Sequence, residues 1–254
     1  MSRVDCVLPT FNNFQQACAD RYGLLMSNSG FLAPAFITFT GVDSDALIPG
    51  MRALSEQYPI EWGVLIDPAR LDNRLFPDAE TVDRIRCSGL RLSAHICGVP
   101  AGLIASGGEP DLNLDGFSRL QINHGFSGSN GQQIEHCMRF ASRHGMRAAL
   151  QCQAAFPEVS GVDWLYDVSF GTGMQPEQWI ALKGDIPFCG YSGGLNPQNV
   201  RSVLQQLDLG CGSAYWIDME SGVRSHGRFD LAKCEDVCRA VYGPLAVELP
   251  KVAM

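Results

Sequence analysis

The chain has 254 residues, 46% of them hydrophobic and 18% charged, which suits one large α/β domain or two small ones and argues against disorder. The net charge is −8 and Lys and Arg form no run, so we expect no nucleic-acid polymer as a partner. The charge does not exclude a small phosphorylated ligand, because backbone amides can hold a phosphate without basic side chains.

The cysteine content favours a reducing compartment. The ten cysteines include no CxxC pair, and several lie in apolar runs, as free thiols do. The first residues lack the apolar core of a signal peptide, and no uncharged apolar run is long enough to span a membrane. We therefore expect a cytoplasmic protein without a membrane partner.

An N-terminal extension, residues 1–30, precedes the first predicted strand. Five residues recur there at near-helical spacing: Phe11, Phe14, Cys18, Tyr22 and Leu25. This spacing predicts a helix within residues 10–26 that packs on the main domain, residues 31–254, and has a structural role only.

Eight short apolar segments follow, most of them separated by roughly 25–30 residues, the length of one strand, one helix and their loops. The predicted strands are residues 36–40, 63–67, 92–97, 120–123, 148–153, 164–168, 188–192 and 215–219. The predicted helices are residues 44–57, 79–88, 130–144, 176–182, 197–207 and 231–241. No clear helix follows the third or the fifth strand.

Strands that alternate with helices indicate an α/β fold with a parallel sheet. Eight strands without a linker or a change of composition favour closure of that sheet over an open one. The sequence therefore predicts a (β/α)8 barrel, or TIM barrel, as a single domain with the N-terminal helical extension.

Polar residues alternate with apolar ones along these strands, so the apolar set should face the helices and the polar set the barrel axis. The predicted inward set is Thr38, Thr40, Asp67, Ser93, His95, Cys97, Gln121, Asn123, Gln151, Gln153, Asp167 and Asp218. Polar groups inside a barrel need hydrogen bonds to each other, to water or to a ligand. Because they gather at the C-terminal halves of the strands, where barrels carry their sites, we favour a ligand site over a satisfied polar core.

Glycine-containing turns follow the last two strands. Gly193 and Gly194 precede Pro197, a typical first residue of a helix, and Ser221 and Gly222 follow the eighth strand. Glycine allows close backbone approach, and free amides at a helix start attract an anion. Since loops seven and eight are the usual phosphate site of such barrels, these turns predict phosphate binding.

Several stretches resemble the phosphoribosylanthranilate isomerase family. Residues 167–173, DVSFGTG, are similar to that family's sixth strand and its Gly-Thr-Gly loop. Residues 191–200, YSGGLNPQNV, resemble its GGLNPENV stretch, and residues 216–223, WIDMESGV, resemble its DVSSGVE stretch. Residues 120–125, LQINHG, are similar to its fourth-strand QLHG, and Arg74 stands where the family has an Arg after strand two.

The resemblance implies a reaction that opens a phosphoribosyl ring on an aromatic amine and shifts a proton, with a general acid and a general base. Asp167 matches the family's acid. The family's base is a Cys in a KICG motif at the end of strand one, where this chain has Thr38 in place of the Lys and Thr40 in place of the Cys. A threonine hydroxyl is too weak an acid to replace a thiolate, so this chain needs another base.

His95 and Cys97 are the candidates for that base. His titrates near neutral pH, yet His95 could equally be a core histidine bonded to Ser93 or Gln121. Cys97 could supply a thiolate, yet a small buried hydrophobe is the commoner role of such a cysteine. No second pair with ligand spacing accompanies His95 and Cys97, so we predict no metal site, and no cofactor is implied.

Two hypotheses for the function remain. In the first, the protein is a phosphosugar isomerase, or a related proton-transfer or lyase enzyme, that uses Asp167 with His95 or Cys97 and holds an acidic or polar head of its substrate near Arg74. In the second, the barrel has lost its base and binds or sequesters a phosphoribosyl compound or nucleotide, which the amide side chains in the lumen favour. We prefer the enzyme because the sequence around Asp167 resembles that of the family. The sequence is also compatible with an oligomer.

Overall fold

The computed structural model describes residues 30–243, apart from residues 72, 126–127, 170–171, 185–186 and 211–212. The helix predicted within residues 10–26 lies outside the described residues.

Eight parallel strands form a closed barrel in chain order, and the eighth strand pairs with the first. They are β1 (Phe36–Thr40), β2 (Ile60–Ile66), β3 (Leu92–Ile96), β4 (Arg119–Ile122), β5 (Arg147–Cys152), β6 (Asp163–Tyr166), β7 (Cys189–Tyr191) and β8 (Tyr215–Met219). All eight predicted strands are confirmed, and no end is displaced by more than three residues. The fold is a (β/α)8 barrel.

Helices cover the outside of the barrel. They are α1 (Ile48–Ser55), α2 (Ala79–Arg86), α3 (Gly98–Ala105), α4 (Gly131–Arg143), α5 (Val200–Gln206) and α6 (Leu231–Tyr242). A short hairpin, β9 (Arg224–Ser225) and β10 (Arg228–Phe229), lies between β8 and α6. None of these described helices is long and apolar enough to cross a membrane.

Two predictions about the helices are wrong. Helix α3 follows the third strand, where the sequence predicted none. The helix predicted over residues 176–182 does not form, because side chains on the barrel bind this segment as an irregular chain. Tyr166 Oη donates to Gln178 O, and Tyr191 Oη donates to Ile180 O. The predicted absence of a helix after β5 is confirmed.

The main core lies between the barrel and the helices, where the outward-facing strand residues are buried. A smaller cluster fills the N-terminal end of the barrel axis, with Phe36 and Phe188 packed on Trp216 at centroid distances of 6.2 and 4.9 Å. The guanidinium of Arg119 lies 4.3 Å from the ring of Trp216. This aromatic stack closes the end of the barrel at which the strands begin, opposite to their C-terminal ends.

A buried ionic layer, formed by Thr38, Glu61, Arg119 and Asp163, lies above the aromatic stack. Arg119 Nη2 pairs with Glu61 Oε1 at 2.6 Å, and Thr38 Oγ1 donates to the same oxygen at 3.0 Å. Burial alone would raise the pKa of Glu61, but the guanidinium groups of Arg119 and Arg91 outweigh it and lower that pKa. Thr38, which the sequence assigned to the ligand site, therefore belongs to a salt-bridge network.

Candidate functional site

A cavity of about 470 Å³ opens at the C-terminal ends of the strands. Inward-facing side chains form its floor and walls: Thr40, Leu65, His95, Cys97, Gln121, Asn123, Gln151, Leu165, Asp167 and Asp218. Loops after the strands supply its rim, including Arg70, Phe76, His124, Ser169, residues 192–195, Glu220 and Ser221. A polar-lined cleft of this size at this end of a barrel is suited to a small-molecule ligand.

Three other residues that the sequence assigned to the site do not line this cavity. Asp67 accepts a hydrogen bond from Ala69 N and lies against Gly98. Arg74 is exposed, and Arg70 reaches the rim instead, with its guanidinium 4.7 Å from the centroid of Phe76. Gly222 packs under the loop after β7, against Leu195 O.

The floor of the cavity carries a hydrogen-bonded chain of side chains from three strands. Thr40 Oγ1 donates to Asp218 Oδ1 at 2.8 Å and lies 3.5 Å from His95 Nε2. His95 Nε2 in turn lies 2.7 Å from Ser93 Oγ. Burial lowers the pKa of His95 to about 3, so the imidazole is neutral at physiological pH. His95 thus contacts Ser93, as expected of a core histidine, and also Thr40, as expected of a residue of the site.

Asp218 is the most perturbed carboxyl of the cavity. Burial raises its pKa to about 8, because its one hydrogen bond, from Thr40, compensates only part of the lost hydration. Asp218 Oδ2 is buried and has no hydrogen-bond partner among the described residues. At neutral pH the carboxyl therefore carries a proton for most of the time.

Asp167 differs from Asp218 in its hydrogen bonds. Ser169 N and Ser169 Oγ both donate to Asp167 Oδ1 at 2.8 Å, and Gln151 Nε2 donates to Asp167 Oδ2 at 2.9 Å. These donors fix the carboxylate in one orientation at the end of β6. Ser169 contributes to the site although the sequence analysis did not single it out.

Cys97 is a thiol and not a thiolate at neutral pH. Burial raises its pKa to about 11, despite a hydrogen bond of 3.4 Å from Asn123 Nδ2. Asn123 also accepts a hydrogen bond from Gln121 Nε2 at 3.2 Å. Gln121 Oε1 remains buried without a hydrogen-bond partner among the described residues.

The turns after β7 and β8 carry free amides, but not as helix termini. Helix α5 begins at Val200, and Asn196 caps the turn before it by accepting from Gln198 N and Asn199 N. Four amides at the cavity rim have no hydrogen-bond partner among the described residues: Gly193, Gly194, Leu195 and Ser221. The amides on which the sequence prediction of phosphate binding depends therefore lie in the loop before α5 and not at the start of that helix.

Close packing of three loops holds these amides in place. A Cβ on Gly194 would lie 2.8 Å from Gly173 O, and a Cβ on Gly173 would lie 2.5 Å from Ser221 Oγ. A Cβ on Gly222 would overlap Leu195 O. Glycine is therefore required for the approach of the loops after β6, β7 and β8.

A metal site is not supported by the geometry. Within the described ranges, no group of three or more His, Cys, Asp or Glu side chains is arranged to hold a metal ion.

Comparison with known proteins gives similarity in structure only. No family model matches the sequence, and no curated protein sequence matches it significantly. The solved structure of N-(5′-phosphoribosyl)anthranilate isomerase from Pyrococcus furiosus is 14% identical, with a TM-score of 0.52 over 81% of this chain and 98% of that chain. The phosphoribosyl anthranilate isomerase from Thermococcus kodakaraensis is 15% identical, with a TM-score of 0.47 over 82% of this chain and 99% of that chain. At this identity, the similarity to the Pyrococcus furiosus structure shows a shared (β/α)8 barrel.

Proposed function

We propose that this barrel binds a small phosphorylated molecule of the phosphoribosyl type and acts on it as a proton-transfer enzyme of the isomerase class. The free amides of Gly193, Gly194, Leu195 and Ser221, beside a polar cavity, carry this proposal. Phosphate oxygens are strong acceptors, and amides from adjacent turns can surround them without a basic side chain. The fold neighbour from Pyrococcus furiosus is a phosphoribosylanthranilate isomerase, which makes phosphoribosyl compounds the first class to test.

Asp167 and Asp218 are the acid–base pair of this proposal. Asp218 has a pKa of about 8 and can give a proton near neutral pH. Asp167, to which the family resemblance assigned the role of the acid, accepts three hydrogen bonds, as a carboxylate does, and in this proposal it is the base. Two carboxyl groups in such different environments suit opposite roles in proton transfer. The candidates from the sequence fit a base less well, because His95 has a pKa of about 3 and Cys97 a pKa of about 11.

A binding protein without turnover is the second candidate. The neutral imidazole of His95 and the protonated thiol of Cys97 favour it, since neither group accepts a proton readily at neutral pH. The amides of Gln121, Asn123 and Gln151 along the wall suit recognition of a sugar or a base.

Asp167→Asn separates the two candidates. Native mass spectrometry of protein purified from cells first identifies a bound phosphorylated compound, which is then used as substrate and ligand. In an enzyme, Asp167→Asn lowers turnover by at least ~100-fold while the dissociation constant changes little. Absence of turnover in the unmodified protein, with the affinity kept, would establish the binder. If the protein binds neither the compound nor ribose 5-phosphate nor inorganic phosphate, the proposal is overturned.

A further inference from the structure

The hydroxyl of Thr40 makes the one hydrogen bond to the carboxyl of Asp218 among the described residues. Thr40 Oγ1 donates to Asp218 Oδ1 at 2.8 Å, whereas Asp218 Oδ2 is buried without a partner in the same part of the chain. Both residues line the cavity, and they are only 3% and 4% exposed. The two oxygens of this carboxyl are therefore not equivalent, and Thr40 causes the difference.

His95 determines the direction in which the hydroxyl of Thr40 donates. The imidazole is neutral, because burial lowers its pKa to about 3, and its Nε2 lies 2.7 Å from Ser93 Oγ but 3.5 Å from Thr40 Oγ1. If Nε2 carries the ring proton, it can only donate. If Nε2 carries none, its single lone pair accepts from Ser93, which is the nearer hydroxyl. In neither tautomer does Thr40 donate to His95, so its proton is directed to Asp218.

The charges around Asp218 do not remove its proton at neutral pH. Arg119 on β4 favours the carboxylate, whereas Asp167 on β6 and Glu61 on β2 oppose it. Burial outweighs these charges and raises the pKa of Asp218 to about 8, so the carboxyl is protonated at neutral pH. This acidic proton cannot lie between Oδ1 and Thr40, because the proton of the Thr40 hydroxyl is already there. Oδ2 therefore carries it.

We propose that Thr40 is a positioning residue, which holds Asp218 so that the acidic proton lies on Oδ2 and is available to the bound molecule. This inference rests on the proposed function, in which Asp218 is the acid. When Oδ2 gives its proton to the ligand, the carboxylate that remains keeps the hydrogen bond from Thr40. A bond to a charged acceptor is stronger than one to a neutral acceptor. Thr40 therefore stabilises Asp218 more after the proton transfer than before it, and so promotes the transfer.

Infrared spectroscopy of the protein without ligand tests this inference independently of turnover. The carbonyl band of the protonated Asp218 carboxyl is identified by its absence from Asp218→Asn, and its loss is followed as the pH rises. We expect the midpoint of this loss at the pKa of about 8 in the unmodified protein. Thr40→Val removes a bond that favours the carboxylate, so its midpoint should be about one pH unit higher. Thr40→Ser keeps the hydroxyl and should restore the midpoint, and Thr81→Val on α2 is the control that should leave it unchanged.

The direction of the shift decides the result. If Asp218 instead donated to Thr40, loss of the hydroxyl would destabilise the protonated carboxyl and lower the midpoint. A lower or unchanged midpoint in folded Thr40→Val would therefore overturn the inference, as would the absence of the band from the unmodified protein at pH 6. Thr40→Ala, which also removes the hydroxyl, makes the same test if Thr40→Val does not fold.

The pH dependence of turnover connects the inference to the proposed function, with the co-purified phosphorylated compound as substrate. The basic limb of kcat/KM against pH reports the acid of the free enzyme, so in Thr40→Val it should move to higher pH with the infrared midpoint. We expect kcat at pH 7 to fall at least ~10-fold with little change in KM, and Thr40→Ser to recover most of it. A lower kcat with an unmoved limb would show a structural role only and refute the inference. Absence of turnover together with the expected infrared midpoints would refute the proposed enzyme but not the position of the proton.

Discussion

Thr40 Oγ1 and His95 Nε2 lie 3.5 Å apart although β1 and β3, which carry them, are not adjacent strands. Between them runs β2, where Gly63 pairs with Thr40 on one side and with Ser93 on the other. A Cβ on Gly63 would lie 2.5 Å from Thr40 Oγ1 and 2.9 Å from His95 Nε2. Because Gly63 has no side chain, the two polar groups can approach each other across β2.

Gly63→Ala should disrupt this contact and destabilise the barrel. The new Cβ would also lie 3.0 Å from Thr40 Cα, a backbone atom that cannot rotate away. Overpacking of this kind costs ~1–3 kcal/mol in free energy of unfolding, measurable by urea denaturation. Gly102→Ala on α3, where a Cβ meets nothing within 4 Å, is the control and should be neutral or stabilising. Equal stability of the two variants would contradict the close packing at Gly63.

Asp218→Asn should change how stability depends on pH. The pKa of Asp218 in the folded protein is about 8, above its ordinary value of 3.8, so between these values the folded state holds a proton that the unfolded state has lost. Its contribution to stability is full below pH 4 and is lost as the pH rises towards 8. The unfolding free energy of the unmodified protein relative to Asp218→Asn should therefore fall by ~1 kcal/mol per pH unit between pH 5 and 7. A difference that stays constant with pH would show that Asp218 titrates normally.

Glu61→Gln should be among the most damaging single changes in the barrel. It would leave the buried guanidinium of Arg119 without the carboxylate that lies 2.6 Å away. Breaking a buried pair by removing one partner costs ~3–5 kcal/mol, readable as a lower midpoint of chemical denaturation. Glu109→Gln is the matched control, because its partner Arg143 is half exposed and such pairs contribute ~1 kcal/mol or less. Similar losses in both variants would contradict a structural role for the ionic layer.

Gly222→Ala should weaken phosphate binding more than it weakens the fold. Its Cβ would overlap Leu195 O, so the turn after β8 must move away from the turn after β7 and separate the amides that they present. We expect the dissociation constant for ribose 5-phosphate to rise by at least ~10-fold, measured by calorimetry. Gly131→Ala, at the start of α4 with nothing within 4 Å of a Cβ, should bind as the unmodified protein does. Normal affinity of Gly222→Ala would place the phosphate elsewhere.

The recurring apolar segments were sufficient to predict the barrel, and the alternation of polar and apolar residues along them was sufficient to predict most of the cavity lining. It placed Thr40, His95, Gln121, Asp167 and Asp218 on the inner face, and all of them line the cavity. Helix α3 escaped detection because its sequence, GVPAGLIA, contains no polar residue from which a helical period could be recognised. The helix predicted at residues 176–182 was wrong for a different reason. The local sequence is compatible with a helix, but hydrogen bonds from tyrosines on β6 and β7 hold the segment in an irregular conformation.

The ionic layer was missed because its members are remote in sequence. Glu61 and Arg119 are 58 residues apart, and each lies at the start of its strand, outside the apolar segments that marked the strands. A signal was nevertheless present, since Arg119 stands two residues before Gln121 and so on the same face. Arg70 and Arg74 could not be separated in this way, because loop residues follow no alternation.

The ionic layer and the aromatic stack together plug the barrel below the cavity. Arg119, Phe36 and Trp216 occupy the axis there and are buried. In the part of the barrel that the structure describes, a bound molecule therefore enters and leaves by the mouth of the cavity. Any reaction product would block the next substrate until it departs, so inhibition by product should be competitive, and the loops around the mouth should set the rate of exchange.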